Sequence, residues 1–420
     1  MYQQTILPNG LRIVCETIPG VHSVSLGIWV GTGSRYETLE DNGISHFIEH
    51  MLFKGTSRRT TKQIAEEMDA VGGQLNAFTT KEYTCYYAKV LHQYYQFGID
   101  LLADMVTNSL FLPEEIEKEK QVVIEEIKSY EDSPDEIIHD IFAGAVLNGH
   151  PLGRTILGTP ESIRRIERST ILEYLSHHYT PDNIVFAVAG NVQFDQIVTE
   201  VAKHLSGLSG KTDQHLPVVP DLQPDVVIRS KDTEQVHICM GTRGVSRNNP
   251  QKYAVYVLDS ILGGSVSSRL FQQLREERGL VYVAGSNHSG YKDTGLFSIY
   301  AGTSPENYEE VITLVKQELQ KLQAEPIGET ELARAKEQLK GNLLLSLEST
   351  SNLMSRIAKI ILFNDQLMTP EESVKKIEAV TAEQVLQAAR EIFHEDNMVI
   401  TAIGPFEADS ELLRKRYHEY

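Results

Sequence analysis

The sequence has few cysteines, no long apolar run and no excess of positive charge. Its three cysteines, Cys15, Cys85 and Cys239, are widely spaced, which predicts neither a disulfide framework nor a cysteine metal site and favours a reducing, cytoplasmic compartment. No stretch of about 18 apolar residues occurs, so we expect no membrane-spanning helix. The N-terminus lacks a basic start followed by an apolar stretch, so we expect no signal peptide.

The formal net charge is −19, which argues against nucleic acid as a partner. Solubility is the simpler explanation of this charge. The alternative is an acidic cavity that attracts basic peptides.

The chain is predicted to be a duplication. Its 420 residues are too many for one compact core. Residues 23–28 resemble residues 235–240 at a spacing of 212, and the apolar segments 183–190 and 397–404 resemble each other at a spacing of 214. Similar segments in the same order at nearly one spacing indicate two related halves.

Glycine, serine and proline residues between positions 205 and 224 break regular structure and predict a linker. We therefore predict an N-terminal domain over residues 1–210, a linker over 211–221 and a C-terminal domain over 222–420. The predicted fold class is α+β, with two homologous domains that each contain an antiparallel sheet packed with helices.

The most specific motif is H-x-x-E-H, formed by His46, Glu49 and His50. The turn at residues 41–43 can cap a helix, and on that helix the two histidines are four residues apart and share one face. Two imidazoles at this spacing can hold one zinc ion, and Glu49 is placed to act as a general base toward the attacking water. The alternative is a histidine pair with an unrelated glutamate, so the motif requires a third ligand.

Candidates for the third ligand lie on a helix that is predicted to begin at Pro113, where acidic residues crowd the first turn. Glu119, Val123 and Glu126 follow the i, i+4, i+7 spacing of one helix face. Most acids of this helix form a solvated face. Glu119 and Glu126 are the two acids that we favour as exceptions, facing the metal site and not solvent, although helical spacing alone does not select them.

The segment 43–56, together with a carboxylate 76 residues after His50, resembles the inverzincins, the pitrilysin/insulinase family of zinc metallopeptidases. Within that family it is similar to mitochondrial processing peptidase and its bacterial relatives. The resemblance implies that Zn²⁺ is bound by His46, His50 and Glu126, and that Glu49 is the base.

The resemblance also gives roles to acids near the third ligand. Family members have an acidic residue seven positions before that ligand, which implies that Glu119 supports the metal ligands. Glu125 is the alternative third ligand if the matching of this sequence to the family motif is shifted by one residue.

Both halves contain residues that the resemblance assigns to substrate. Asn76, Ala77 and Phe78 lie in a segment similar to the edge strand that pairs with the extended substrate backbone in this family. Arg275 and Tyr282, seven residues apart, match the pair that binds substrate and stabilises the tetrahedral intermediate. Without the resemblance, an ordinary hairpin strand and an ordinary exposed helix end explain these segments.

The second half has no counterpart of the metal motif. At the spacing of 212, the positions of His46 and His50 correspond to Leu258 and Leu262, so we expect no metal there. Inactive family members often have a long glycine-rich loop nearby. This chain has only the short segment 263–265, which favours an active subunit.

These features predict a zinc-dependent endopeptidase that hydrolyses peptides or unfolded segments. The resemblance implies that four homologous domains enclose a chamber, so this two-domain chain would supply half of a clamshell. Because both motifs occur in one chain, we expect a homodimer, and a distinct inactive partner chain is the alternative. Two other functions are a non-catalytic scaffold subunit of a processing-peptidase-like complex and a structural zinc site. The complete motif argues against the first, and the lack of a fourth protein ligand argues against the second.

Overall fold

The computed structural model describes residues 2–363, 368–394 and 397–406, which divide into two compact units. Unit 1 consists of residues 2–128, 154–217 and 345–363. Unit 2 consists of residues 129–153, 218–344, 368–394 and 397–406. Strands and helices are numbered in chain order. In the ranges that are described, none of the helices combines the length and the apolar character needed to cross a membrane.

Unit 1 is built on a six-stranded sheet in the order β1-β2-β6-β3-β5-β4. The strands are β1 (Tyr2–Ile6), β2 (Arg12–Thr17), β3 (Ser23–Val30), β4 (Gln74–Thr79), β5 (Thr84–Leu91) and β6 (Ile184–Gly190). Neighbouring strands are antiparallel except for β2 and β6, which run parallel because the chain between them is long enough to cross over. The strand β4 is therefore an edge strand, and no described strand pairs with its outer side.

The helices of unit 1 pack on both faces of this sheet. They are α1 (Ile44–Met51), α2 (Thr61–Ala70), α3 (Tyr95–Asn108), α4 (Pro113–Asp132), α6 (Pro160–Arg165), α7 (Arg168–His178), α8 (Phe194–Leu205) and α12 (Thr350–Leu362), with the end of α4 in unit 2. The apolar face of α1 joins the core that also contains Leu26 and Ile28 of β3. This packing fixes α1 against the sheet on the side away from α12.

Unit 2 contains a five-stranded sheet in the order β7-β11-β8-β10-β9. Its strands are β7 (Asp225–Ser230), β8 (Val236–Gly244), β9 (Val281–Gly290), β10 (Gly295–Thr303) and β11 (Val399–Gly404). This order repeats β2-β6-β3-β5-β4 of unit 1, and β7 and β11 are again the parallel pair. The similar sequence segments fall on β3 and β8 and on β6 and β11, so the predicted duplication and the α+β fold class are confirmed.

The helices of unit 2 are α5 (Pro134–Val146), α9 (Lys252–Leu262), α10 (Tyr308–Ala324), α11 (Glu329–Ser346), α13 (Pro370–Glu378) and α14 (Ala382–Ile392), with the end of α11 in unit 1. A π-helical segment, Phe271–Glu276, precedes the edge strand β9. Helix α9 follows β8 just as α1 follows β3, so it is the counterpart of the helix that carries the metal motif.

Each unit takes one helix from the other half of the sequence. Helix α12 packs against β2, β3 and β6, where the buried indole of Trp29 donates a hydrogen bond to the sulfur of Met354 at 3.1 Å. Helix α5 packs against β8 and β11 of unit 2. The compact units are therefore not the two sequence halves. The domain boundaries predicted from the sequence describe the duplicated segments and not the compact units, and they stay a prediction.

Candidate metal centre

Helix α1 places the H-x-x-E-H motif beside the sheet, and its start requires a glycine. Gly43 precedes the helix with a φ of 96°, a conformation that residues with a Cβ rarely adopt. A Cβ at this position would lie 2.7 Å from the carbonyl oxygen of Leu157. The close approach fixes the point at which α1 begins and therefore which residues face the sheet.

Helix α1 begins directly after the turn predicted at residues 41–43, with Gly43 as its N-cap residue. The carboxylate of Glu37 accepts hydrogen bonds from the backbone N–H groups of Gly43 and Ser45, at 2.8 and 2.9 Å. The carboxylate of Asp41 accepts hydrogen bonds from the N–H and hydroxyl of Thr38. The predicted turn therefore precedes the helix, and the buried carboxylate of Glu37, which the sequence did not indicate, stabilises the positive end of the helix dipole.

His46, His50 and Glu126 converge at one point. The Nε2 atoms of the two histidines are 3.2 Å apart. The carboxylate oxygens of Glu126, which lies on α4, are 3.8 Å from His46 Nε2 and 3.6 Å from His50 Nε2. In the part of the chain that the structure describes, this is the one group of three or more His, Cys, Asp or Glu side chains whose ligand atoms could share a metal ion.

This donor set fits zinc. Nitrogen donors about 2.0–2.1 Å from a tetrahedral zinc ion would be about 3.3 Å apart, close to the 3.2 Å between the two imidazole nitrogens. Two histidines and one glutamate are also the protein ligands of one class of catalytic zinc site, in which the fourth position is left for water or substrate. The Glu126 side chain is 43% exposed, so solvent reaches the group.

Glu119 orients His50. Its carboxylate lies 2.8 Å from His50 Nδ1 and 2.6 Å from the Nζ atom of Lys54. When His50 donates from Nδ1, its Nε2 lone pair points toward His46 and Glu126. Burial raises the pKa of Glu119, but the hydrogen bonds with His50 and Lys54 outweigh it, so the pKa is lowered and the carboxylate is ionised.

The two imidazoles have different electrostatic environments. Burial, with the neighbouring His50, lowers the pKa of His46 to about 3, so that its imidazole is neutral, as a metal ligand must be. Burial also acts to lower the pKa of His50, but the hydrogen bond with Glu119 and the charge of Glu126 outweigh it and raise the pKa. A metal ion would therefore displace a proton mainly from His50.

Glu49 lies next to this group and is held by a threonine. The hydroxyl of Thr79, the last residue of β4, donates a hydrogen bond of 2.5 Å to Oε2 of Glu49. Burial raises the pKa of Glu49, and the hydrogen bond from Thr79 opposes that shift. Glu49 is thus placed as the sequence predicts for a base, beside the ligand atoms.

The two adjacent acids of α4 lie in different surroundings. The Glu125 side chain is 70% exposed and forms an ion pair with Lys128 at 2.7 Å. Since Glu126 faces the histidines, the structure places Glu126, and not Glu125, at the position of the third ligand.

Asn76, Ala77 and Phe78 lie on β4, whose outer edge is open among the described strands. A cavity of about 560 Å³ lies next to this strand. Its lining includes Phe53, Ile64, Met68, Leu75, Asn76 and Tyr87. An edge strand and an adjoining cavity on one unit offer main-chain hydrogen bonds and room for a side chain to the same ligand.

Arg275 and Tyr282 form a stacked pair in unit 2. The guanidinium lies 4.8 Å from the centre of each of the rings of Tyr282 and Phe271, and it donates a hydrogen bond of 3.0 Å to the carbonyl oxygen of Tyr282. The Tyr282 side chain is 72% exposed, so its hydroxyl is available to a ligand. The roles that the resemblance gives to both residues stay predictions.

Three residues of the site were not identified from the sequence. Lys54 could have been, because it lies just after the end of α1, only four residues from His50 in the sequence. Thr79 gives no local signal, since its contact with Glu49, 30 residues away, arises from tertiary packing. Glu37 lies six residues before Gly43, but the irregular turn between them has no regular spacing that identifies it.

Two protein-family models match most of the chain. The model described as Insulinase (Peptidase family M16) matches residues 12–160, and the model described as Peptidase M16 inactive domain matches residues 165–339. A Bacillus subtilis protein named "Uncharacterized zinc protease YmxG" is 44% identical, over 94% of this chain and 97% of its own length. A Rickettsia felis protein named "Uncharacterized zinc protease" is 39% identical, over 92% of this chain and 94% of its own length.

Solved structures share the fold. A protease from Helicobacter pylori is 23% identical with a TM-score of 0.90, and the match covers 96% of this chain and 99% of that one. A structure from Pseudomonas fluorescens, described as a peptidase M16 inactive domain, is 20% identical with a TM-score of 0.91, covering 97% and 98%. Relatives that resemble the chain over nearly all its length, together with the two family models, show that it belongs to peptidase family M16, the insulinase family.

Proposed function

We propose that this chain is a zinc-dependent endopeptidase that hydrolyses peptides or unfolded segments. The observation that carries the proposal is the convergence of His46, His50 and Glu126 beside the carboxylate of Glu49. Zinc bound there would supply Lewis-acid polarisation of the scissile carbonyl and acidification of water. The names of the full-length relatives, which call them zinc proteases, support the choice of metal.

The residues of the chain then have separate tasks. His46, His50 and Glu126 hold the metal, and Glu119 fixes the orientation of His50 through Nδ1. One carboxylate oxygen of Glu49 accepts a hydrogen bond from Thr79. The other oxygen accepts the proton of the attacking water and later delivers it to the leaving amine.

The substrate would bind as an added strand. The outer edge of β4, with Asn76, Ala77 and Phe78, would pair with an extended peptide backbone, and the adjoining cavity would take one of its side chains. Strand addition requires an extended segment, which favours peptides and unfolded chains over folded proteins. Arg275 and Tyr282 would bind the substrate and stabilise the developing oxyanion, the role implied by the family motif.

A homodimer that shares its sites would use both motifs of each chain. The presence of the metal group and of the Arg275–Tyr282 pair in one chain supports this assembly. Mixing Glu49→Gln chains with Tyr282→Phe chains should restore part of the activity that each lacks alone. No restoration would show that each chain works with its own residues or with a different partner. The three cysteines are buried and free, which supports a reducing compartment, and we propose the cytoplasm.

A scaffold subunit without activity is the second candidate, favoured by the match of residues 165–339 to a domain described as inactive. One experiment separates the two. A library of unstructured peptides is incubated with the protein, with the protein plus a zinc chelator, and with the chelated protein after zinc is returned. An endopeptidase cleaves in the first and third samples only, and a scaffold cleaves in none.

The control for this digest is Glu49→Gln, which keeps the size of the side chain but cannot accept a proton. It should bind zinc as the wild type does and lose about 100- to 10,000-fold of the cleavage rate. Cleavage at the wild-type rate by this variant would contradict the role of Glu49.

A further inference from the structure

The hydrogen bond between Thr79 and Glu49 joins β4, the edge strand proposed to bind the peptide, to α1, the helix with the H-x-x-E-H motif. Thr79 is the last residue of β4, and Glu49 lies in the last turn of α1. The threonine hydroxyl donates a hydrogen bond of 2.5 Å to one oxygen of the carboxylate. Among the described residues, no other group donates a hydrogen bond to Glu49.

The position of the Thr79 hydroxyl is itself fixed. Thr79 is paired with Thr84 of β5 in the antiparallel register of the sheet. Threonine is branched at Cβ, so few rotamers are available to it. Hydrogen bonds to ionised carboxylates are shorter and stronger than those between neutral groups. The sheet therefore determines where the donor lies, and the donor determines which way the flexible glutamate side chain points.

We propose that Thr79 is a positioning residue for the general base, an inference that rests on the proposed peptidase function. By holding Oε2, Thr79 would restrict the rotation of the Glu49 carboxylate and so fix where its other oxygen lies. Because Thr79 ends the strand to which a peptide would be added, the base and the scissile bond are aligned by the same element. Small errors in such alignment are costly to rate, since the reacting atoms must be held near their productive geometry.

The test compares two substitutions at one position. Thr79→Val keeps the shape and the strand preference of the side chain and removes the hydroxyl, whereas Thr79→Ser keeps the hydroxyl. With a quenched fluorescent peptide as substrate, kcat of Thr79→Val should fall about tenfold or more, with KM within about twofold of wild type. Thr79→Ser should restore kcat toward the wild-type value. Zinc affinity, measured by competition with a chelator, should be the same in all three proteins.

A matched control is available on the neighbouring strand. Thr84 is fully buried, and its hydroxyl donates a hydrogen bond of 3.0 Å to the carbonyl oxygen of Thr32. Thr84→Val removes a buried strand hydroxyl that does not touch Glu49. This variant should lose stability and keep kcat. A crystal structure of Thr79→Val should show the Glu49 carboxylate rotated away from its wild-type position.

Each other outcome overturns the inference. If wild type cleaves the peptide and Thr79→Val has the same kcat, the hydroxyl does not position the base. If Thr79→Val and Thr84→Val lose kcat equally, or if Thr79→Ser fails to restore it, the effect is one of general stability. If the wild-type protein itself cleaves no peptide, the proposed function is wrong, and the inference that rests on it is wrong as well.

Discussion

The two units contain the same arrangement of five strands. They differ in the helix that follows the middle strand of this arrangement, β3 in unit 1 and β8 in unit 2. In unit 1 this helix, α1, presents His46 and His50, whereas in unit 2 the corresponding positions of α9 are Leu258 and Leu262, both fully buried. The apolar pair belongs to the core of its unit. The difference shows that the fold does not need these two histidines, and under the proposed function a few side chains would add the chemistry to it.

Each unit nevertheless has a hydrogen bond from its edge strand to a carboxylate of this helix. In unit 2, the hydroxyl of Ser286 on the edge strand β9 donates a hydrogen bond of 2.5 Å to Asp259 of α9. In unit 1, Thr79 on the edge strand β4 makes the same kind of bond with Glu49 of α1. At the spacing of 212, however, Asp259 corresponds to Phe47 and not to Glu49, so the two units fasten the helix to the edge strand through carboxylates at different positions.

The largest effect is expected when α1 is given the residues of α9. The double variant His46→Leu, His50→Leu should keep its fold and thermal stability, because leucines occupy the matching positions of unit 2. It should bind no zinc and cleave no peptide. Zinc content measured by mass spectrometry, beside circular dichroism, checks both statements. One zinc per chain in this variant would show that the metal lies elsewhere.

The next effect concerns the two adjacent acids of α4. Glu126→Gln should lower zinc affinity by at least about 100-fold, because a neutral amide replaces a charged ligand. Glu125→Gln is the matched control, since Glu125 is exposed and paired with Lys128. Its zinc affinity should equal that of wild type in a chelator competition. The reverse ranking of the two variants would move the third ligand to Glu125.

A smaller effect is expected at the residue that orients His50. Glu119→Gln keeps the size of the side chain but weakens the bonds with His50 and Lys54, so zinc affinity should fall about 10- to 100-fold. Glu117→Gln on the same helix changes an exposed acid that pairs with Lys120, and it should leave affinity unchanged. Equal affinities of the two variants would make Glu119 a merely structural residue.

The smallest effect concerns the bond of Ser286 to Asp259, which joins the edge strand to the helix in unit 2. Ser286→Ala leaves the acceptor Asp259 without its hydroxyl partner, which should lower the free energy of unfolding by about 1–3 kcal/mol. Peptide cleavage at a temperature well below unfolding should not change, because unit 2 has leucines at the positions that correspond to His46 and His50. Urea denaturation and the peptide assay measure the two quantities. A loss of kcat without a loss of stability would contradict the comparison of the two units.

The sequence predicts those parts of the molecule that depend on local spacing. Apolar strands repeated at one distance predicted the duplication, and the four-residue spacing of His46 and His50 predicted their common face. Adjacent residues of a helix point about 100° apart, so the choice between Glu125 and Glu126 depends on how α4 packs against α1. The residue patterns left that choice open, and only the family resemblance favoured Glu126.

Contacts between distant segments could not be predicted in this way. The bond of Thr79 to Glu49 connects segments 30 residues apart whose proximity is set by the sheet. The cap of α1 by Glu37 is closer in sequence, six residues before Gly43, but it depends on an irregular turn that follows no regular spacing. The assignment of α12 to unit 1 is similar, because an amphipathic helix shows that one of its faces is buried but not which sheet buries it.

The position of α12 has a consequence for synthesis of the chain. Residues 350–362 cover the face of the first sheet that contains Trp29, so this face stays uncovered on the ribosome until most of the polypeptide has been made. The segment that carries His46 and His50 is translated early, and the last strand of its sheet ends at Gly190, yet one face of that sheet is covered late. A fragment that stops at residue 210 would expose this apolar face to water, and nascent chains would depend on chaperones until the C-terminal half arrives.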